Sequence, residues 1–87
     1  MSSIEIEIRH QVGLHARPAA LFVQAAQKYK STVTLGFGDK SANAKSLLGI
    51  LGLGIGSGAK VTITANGEDE QLAVEALKKL VETNFGE

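Results

Sequence analysis

The sequence predicts an α+β fold, ordered β-α-β-β-α-β-α, in which amphipathic helices cover one face of a sheet. Three observations predict it. Short Ile-, Val- and Thr-rich segments alternate apolar and polar residues, as strands do when one face meets a core and the other meets water. Between them lie stretches whose apolar residues recur at helical spacing. A chain of 87 residues builds one compact core and would struggle to build two, so residues 1–87 are read as a single domain. One-faced strands beside amphipathic helices then argue for a sheet covered on one side only.

Ile4, Ile6 and Ile8 alternate with Glu5, Glu7 and Arg9, which gives the first strand. His10 to Leu14 is a loop containing Gly13, and a helix beginning near His15 follows over Ala16 to Tyr29, with Phe22, Ala26 and Tyr29 on its apolar face. Pro18 suits the first turn of that helix, because the N–H that proline lacks has no intrahelical partner there. Thr32 to Phe37 alternates again, and Gly38-Asp39 is turn chemistry that returns the chain as a hairpin into a third strand. Leu47, Leu48, Ile50 and Leu51 spell a short helix after Ser46, weakened by Gly49 and Gly52 at ~1 kcal/mol each relative to Ala. Lys60 to Ala65 sets Val61, Ile63 and Ala65 against Thr62 and Thr64 as the fourth strand, and Asn66-Gly67 closes it. Asp69 is placed to cap a last helix with Ala73, Ala76, Leu77 and Leu80 as its apolar stripe. Glu75 and Lys79 fall on its wet side, and Gly86 lies past its end.

Composition narrows the chemistry. Acidic and basic residues balance at nine each, so the chain lacks the broad cationic footprint that binding nucleic acid requires. Cys is absent, which removes disulfides, thiol catalysis and thiolate metal sites together and suits a cytoplasmic setting. The opening residues interleave charge with apolar side chains and offer no signal-peptide core, and the apolar run from Leu47 to Ile55 is far shorter than the ~20 residues of a membrane span. No direct membrane insertion is expected.

The densest chemistry lies in Gly13-Leu14-His15-Ala16-Arg17-Pro18-Ala19. A helix N-terminus carries roughly +0.5 charge and several unpaired N–H groups, so it favours an anion and disfavours a protonated imidazole. His15 there would be held neutral near physiological pH, with a ring nitrogen free to attack phosphorus. Once phosphorylated, it would sit under the amides of Ala16 and Arg17, and the Arg17 guanidinium could add charge-assisted hydrogen bonds to the phosphoryl oxygens. The same residues also fit a plain helix cap and a solvated surface cation, and local physics alone leaves both readings open.

This segment resembles the active-site signature of HPr, the phosphocarrier family of the bacterial phosphoenolpyruvate-dependent sugar phosphotransferase system. A second segment, Asn43-Ala44-Lys45-Ser46 followed by Gly49, Leu53-Gly54 and Gly58-Ala59, resembles the family's second signature, and Gly67-Glu68-Asp69-Glu70 matches the turn before its last helix. The resemblance implies an open-faced β-sandwich with an antiparallel sheet of order 1-4-2-3 and three helices on one face. It implies a carrier rather than an enzyme; no cofactor is expected, and the chain is expected to act as a monomer although no residue pattern bears on dimerisation. The phosphoryl group would pass from phosphoenolpyruvate through Enzyme I to Nδ1 of His15, and from there to IIA domains of sugar permeases. A phosphoramidate keeps a high transfer potential, so the partners need supply only positioning and electrostatic stabilisation.

Ser46 precedes the short helix, where its hydroxyl would cap an N–H, worth ~1 kcal/mol against Ala. In Gram-positive members of the family the matching serine is phosphorylated by HPr kinase/phosphorylase. The ~2 negative charges so added would alter docking, including docking to a catabolite-control transcription factor. Leu47, Leu48 and Leu51 fit either core packing or, by resemblance, the docking edge for Enzyme I, IIA domains and the kinase. Family members often carry Ile-Met-Gly-Val-Met-Ser where this chain has Leu47-Leu48-Gly49-Ile50-Leu51-Gly52, which changes the make-up of that edge. The glycines from Gly49 to Gly58 are not a nucleotide loop, since a strand-like Lys60-Val61-Thr62-Ile63 follows them, and His10 and His15 do not make a metal-ligand set. A second functional reading is an HPr-like regulatory protein, of the nitrogen branch or another signalling branch, that accepts phosphate without feeding sugar transport. A third is an interaction module with a silent histidine.

Overall fold

The computed structural model describes residues 1–9, 16–83 and 85. Seven elements follow in order: β1 (Ser2–Glu7), α1 (Ala16–Gln27), β2 (Thr32–Phe37), β3 (Lys40–Asn43), α2 (Leu47–Gly52), β4 (Lys60–Asn66) and α3 (Glu70–Glu82). The strands form one antiparallel sheet of order β1-β4-β2-β3, the order implied by the resemblance. Its register sets Ile4 opposite Ile63, Ile63 opposite Leu35 and Leu35 opposite Ala42, an apolar row across all four strands. Alternation does the rest: Val33, Leu35, Val61, Ile63 and Ala65 are buried, whereas Thr34, Thr62 and Thr64 stay half-buried on the open face. At the hairpin, Gly38 adopts a φ of 63°, which glycine takes without steric cost.

The core lies between the sheet and the helices. Helix α1 contributes Ala19, Phe22, Val23 and Ala26, α2 contributes Ile50, and α3 contributes Ala73, Val74, Leu77 and Val81. Ile8, one residue beyond β1, is fully buried and extends the pairing with β4, donating to the Ala59 carbonyl at 2.8 Å and accepting from the Gly58 N–H at 2.7 Å. Two expected helical details shift. Helix α1 stops at Gln27, and the Lys28 and Tyr29 amides bond three residues back in a tighter final turn that leaves Tyr29 half-buried against the core. On α3 the buried stripe includes Val74 and Val81, with Ala76 and Leu80 at its margin, because the helix lies over both β1 and β4 and turns the flank carrying Val74 inward. Glu75 and Lys79 are exposed as expected, and Gly86 lies outside the described residues.

The larger correction concerns Asp69. It occupies the N-cap position of α3 but makes no side-chain capping bond. Its carboxylate turns instead to the start of β2, accepting from the Lys30 N–H at 2.8 Å, the Ser31 N–H at 3.0 Å and the Ser31 hydroxyl. The Ser31 hydroxyl, followed by the Lys30 amide, holds the Asp69 pKa down at about 2. Glu70, the first residue of α3, turns its carboxylate back across the turn and onto β1, accepting from the Gly67 N–H at 3.3 Å, the Ser2 hydroxyl at 2.8 Å and the N-terminal ammonium at 2.8 Å. Gly67 passes so close to Ser31 that a Cβ would lie 2.7 Å from its Oγ and 2.8 Å from its Cα. A residue with no side chain lets the turn before α3 fold onto Ser31, and the Asp69 carboxylate then locks the two segments together.

Candidate functional site

Helix α1 opens at Ala16. Ala16, Arg17 and Pro18 are its first three residues, and Pro18 has no N–H to leave unpaired there. Ala16 and Arg17 are exposed while Pro18 and Ala19 are buried, so the helix is anchored by its third and fourth residues and presents its first two to solvent. His15 itself, with the loop residues His10 to Leu14, lies outside the described residues.

Ser46 is the N-cap of α2, with its Oγ accepting the Gly49 N–H at 3.2 Å. That is the capping role its position suggests. The three leucines are not core residues: Leu47, Leu48 and Leu51 are 39%, 84% and 36% exposed, and Ile50 alone of the four turns into the core. A short helix with one buried and three exposed large apolar residues spends little of its apolar surface on folding.

Three further residues fix this corner. Lys45 Nζ donates to the Tyr29 carbonyl at 2.7 Å, placing a cation at the C-terminal end of α1, where the helix dipole favours it. Gln27 Nε2 donates to the Lys45 carbonyl at 3.2 Å, and Asn43 Oδ1 accepts the Lys45 N–H at 2.9 Å. Lys45 stands in the second signature, but the sequence gives no sign that it ties the Ser46 loop to α1, because its partners are the Tyr29 carbonyl and the Gln27 side-chain amide, whereas the Asn43 side chain bonds within the loop. Gln27 carried no signal at all. Among the described residues no three His, Cys, Asp or Glu side chains gather as a metal site, and no helix is long and apolar enough to cross a membrane.

The fold and the two signatures together define a small open-faced α+β domain of the phosphotransferase-system type. The family model described as the PTS HPr component phosphorylation site matches residues 2–83, and the chain belongs to the HPr family. Over 78 residues it is 47% identical to the HPr-like protein Crh of Bacillus subtilis, covering 90% of this chain and 92% of that protein. Its structure matches HPr-C-His from Thermoanaerobacter tengcongensis with a TM-score of 0.98 at 48% identity, covering 100% of this chain and 98% of that one. An HPr dimer from the same organism matches with a TM-score of 0.81, also at 48% identity and over 100% of both chains.

Proposed function

We propose that the chain is a single-domain phosphocarrier that accepts a phosphoryl group from phospho-Enzyme I on His15 and donates it to IIA domains of sugar permeases. The observation that carries this reading is the pairing of His15-Ala16-Arg17 with a helix that starts at Ala16 and leaves Ala16 and Arg17 exposed. On this reading the phosphoryl oxygens meet the Ala16 and Arg17 amides and the Arg17 guanidinium, and the docking partner covers Leu47, Leu48 and Leu51. The partner supplies the remaining stabilisation of transfer. Phosphorylation of Ser46 by a kinase adds ~2 negative charges beside those leucines and weakens docking.

The test is incubation with phosphoenolpyruvate and Enzyme I, followed by assay for an acid-labile, alkali-stable adduct, with His15→Ala as control. An unlabelled wild type, when the same Enzyme I labels another carrier, overturns the reading. Arg17→Ala is expected to keep the fold and slow transfer. The chain acts as a monomer, and sedimentation as a dimer at micromolar concentration would refute that part.

A regulatory role is favoured by one observation, the similarity to Crh, the catabolite repression HPr of Bacillus subtilis. Retention of His15 and Arg17 supports the carrier reading against a silent module. The two active readings separate on whether phosphoryl groups pass from the labelled chain to IIA domains.

A further inference from the structure

We propose that Asn66 is a self-modification site: the main-chain nitrogen of Gly67 attacks the Asn66 side-chain amide carbon, and Glu70 sets the rate. In that step a C–N bond forms from the Gly67 nitrogen, which gives up its proton, and the side-chain amide leaves as ammonia. The resulting five-membered succinimide then takes up water at one of its two carbonyls, leaving aspartate or isoaspartate at position 66. The net change is one water consumed and one ammonia released, with no redox partner.

Asn66-Gly67 is the single Asn-Gly pair of the chain, since Asn43 and Asn84 are followed by Ala44 and Phe85. A following glycine leaves the attacking nitrogen unhindered. Asn66 ends β4 in an exposed position, and its side-chain amide has no hydrogen-bond partner among the described residues, so nothing holds it away from the main chain. The nitrogen itself is engaged. The Gly67 N–H donates to Glu70 Oε1 at 3.3 Å, an exposed bond to an anionic acceptor that keeps the nitrogen protonated and aimed at α3. Attack requires that bond to open, which makes Glu70 the gate.

The consequence falls on a defined structural element. Isoaspartate adds one methylene to the main chain immediately before Gly67, whose Cα packs so closely on Ser31 that a Cβ there would lie 2.7 Å from the serine Oγ. Either product also adds a carboxylate beside Glu68, Asp69 and Glu70. The turn that joins the start of α3 to the start of β2 is therefore the part of the molecule that conversion loosens.

The experiment is incubation of the whole chain at mildly alkaline pH, tryptic digestion, and mass spectrometry of the Val61–Lys78 peptide, in which Asn66 is the sole Asn. A gain of about 1 Da localised to Asn66 is expected, with an isoaspartate form that separates from the authentic Asn66→Asp product. Glu70→Ala is expected to convert about two- to fivefold faster, the factor set by one exposed hydrogen bond. Glu70→Gln, which keeps a neutral acceptor, falls between, and it carries the comparison if Glu70→Ala does not fold. A wild type that stays unconverted while the urea-denatured chain converts overturns the proposal. So do Glu70 variants that fold and convert at the wild-type rate.

Discussion

Gly67→Ala tests the tightest glycine position among the described residues. A Cβ at Gly67 would lie 2.7 Å from Ser31 Oγ, 2.8 Å from Ser31 Cα and 3.0 Å from Ser31 Cβ, so rotating the serine side chain cannot relieve it. The turn must move, and the Asp69 carboxylate then loses its grip on the Lys30 and Ser31 amides. Overpacking of a close contact costs about 1–3 kcal/mol, and the Gly67 φ of 156°, which side-chain-bearing residues rarely adopt, adds to it. A loss of about 2–4 kcal/mol follows, or roughly 11–22 °C in Tm at this chain length. Gly38→Ala is the control, because Gly38 also has a positive φ of 63° but nothing within 4 Å of its Cβ position, so it reports backbone strain without collision. Urea titration of both variants measures the difference. A Gly67→Ala loss equal to or smaller than that of Gly38→Ala would falsify the claim that contact with Ser31 fixes this turn.

Asp69→Asn is expected to remove a pH dependence. The folded-state pKa lies below the ordinary value, so the carboxylate stabilises the fold above pH 3.8 and loses that contribution as pH falls towards about 2. Urea midpoints taken between pH 5 and pH 2 should converge for wild type and variant at the acid end, and parallel curves would contradict this. Ser46→Ala is expected to cost ~1 kcal/mol through the lost cap on the Gly49 N–H, read as a lower midpoint with an unchanged m-value. Leu48→Ser, at a side chain 84% exposed, is expected to shift stability by less than about 0.5 kcal/mol while weakening transfer to and from partners. Equal transfer kinetics would remove Leu48 from the docking surface.

The strands and helices were legible because each buries one face, and a burial pattern of period two or 3.6 is written directly in residue order. Thr32–Phe37 is recovered residue for residue, and Lys60–Ala65 with one residue more at its end, since Asn66 pairs with Thr32. The roles of Ser46 and Pro18 were legible for the same reason, as local backbone chemistry within one turn. What remained hidden depends on distant partners. Asp69 has the composition of a cap, yet its carboxylate serves Ser31, 38 residues away, because Gly67 brings that segment within reach. Gln27 and Lys45 likewise acquire their roles only once α1 and the Ser46 loop meet. The exposure of Leu47, Leu48 and Leu51 was undecidable from spacing, since an apolar helix of six residues reads the same in a core or on a surface.

The positions of these groups bear on how a charge at Ser46 acts. Lys45 joins the Ser46 loop to the C-terminal end of α1, through Gln27 and the Tyr29 carbonyl, whereas Arg17 stands in the first turn of the same helix. Ten residues of helix from Arg17 to Gln27 span about 15 Å at 1.5 Å per residue. Screening at physiological ionic strength has a length of about 8 Å, so a phosphate at Ser46 has little direct electrostatic hold on the start of α1. A standard protein interface buries ~800 Å² on each partner, a patch broader than the ~15 Å length of the helix. On the proposed reading, charge at Ser46 would act on the docked partner and leave the phosphoryl chemistry itself unchanged. In the proposed transfer reaction, Ser46→Asp should raise KM for Enzyme I with kcat nearly constant, and the reverse pattern would place the effect at His15.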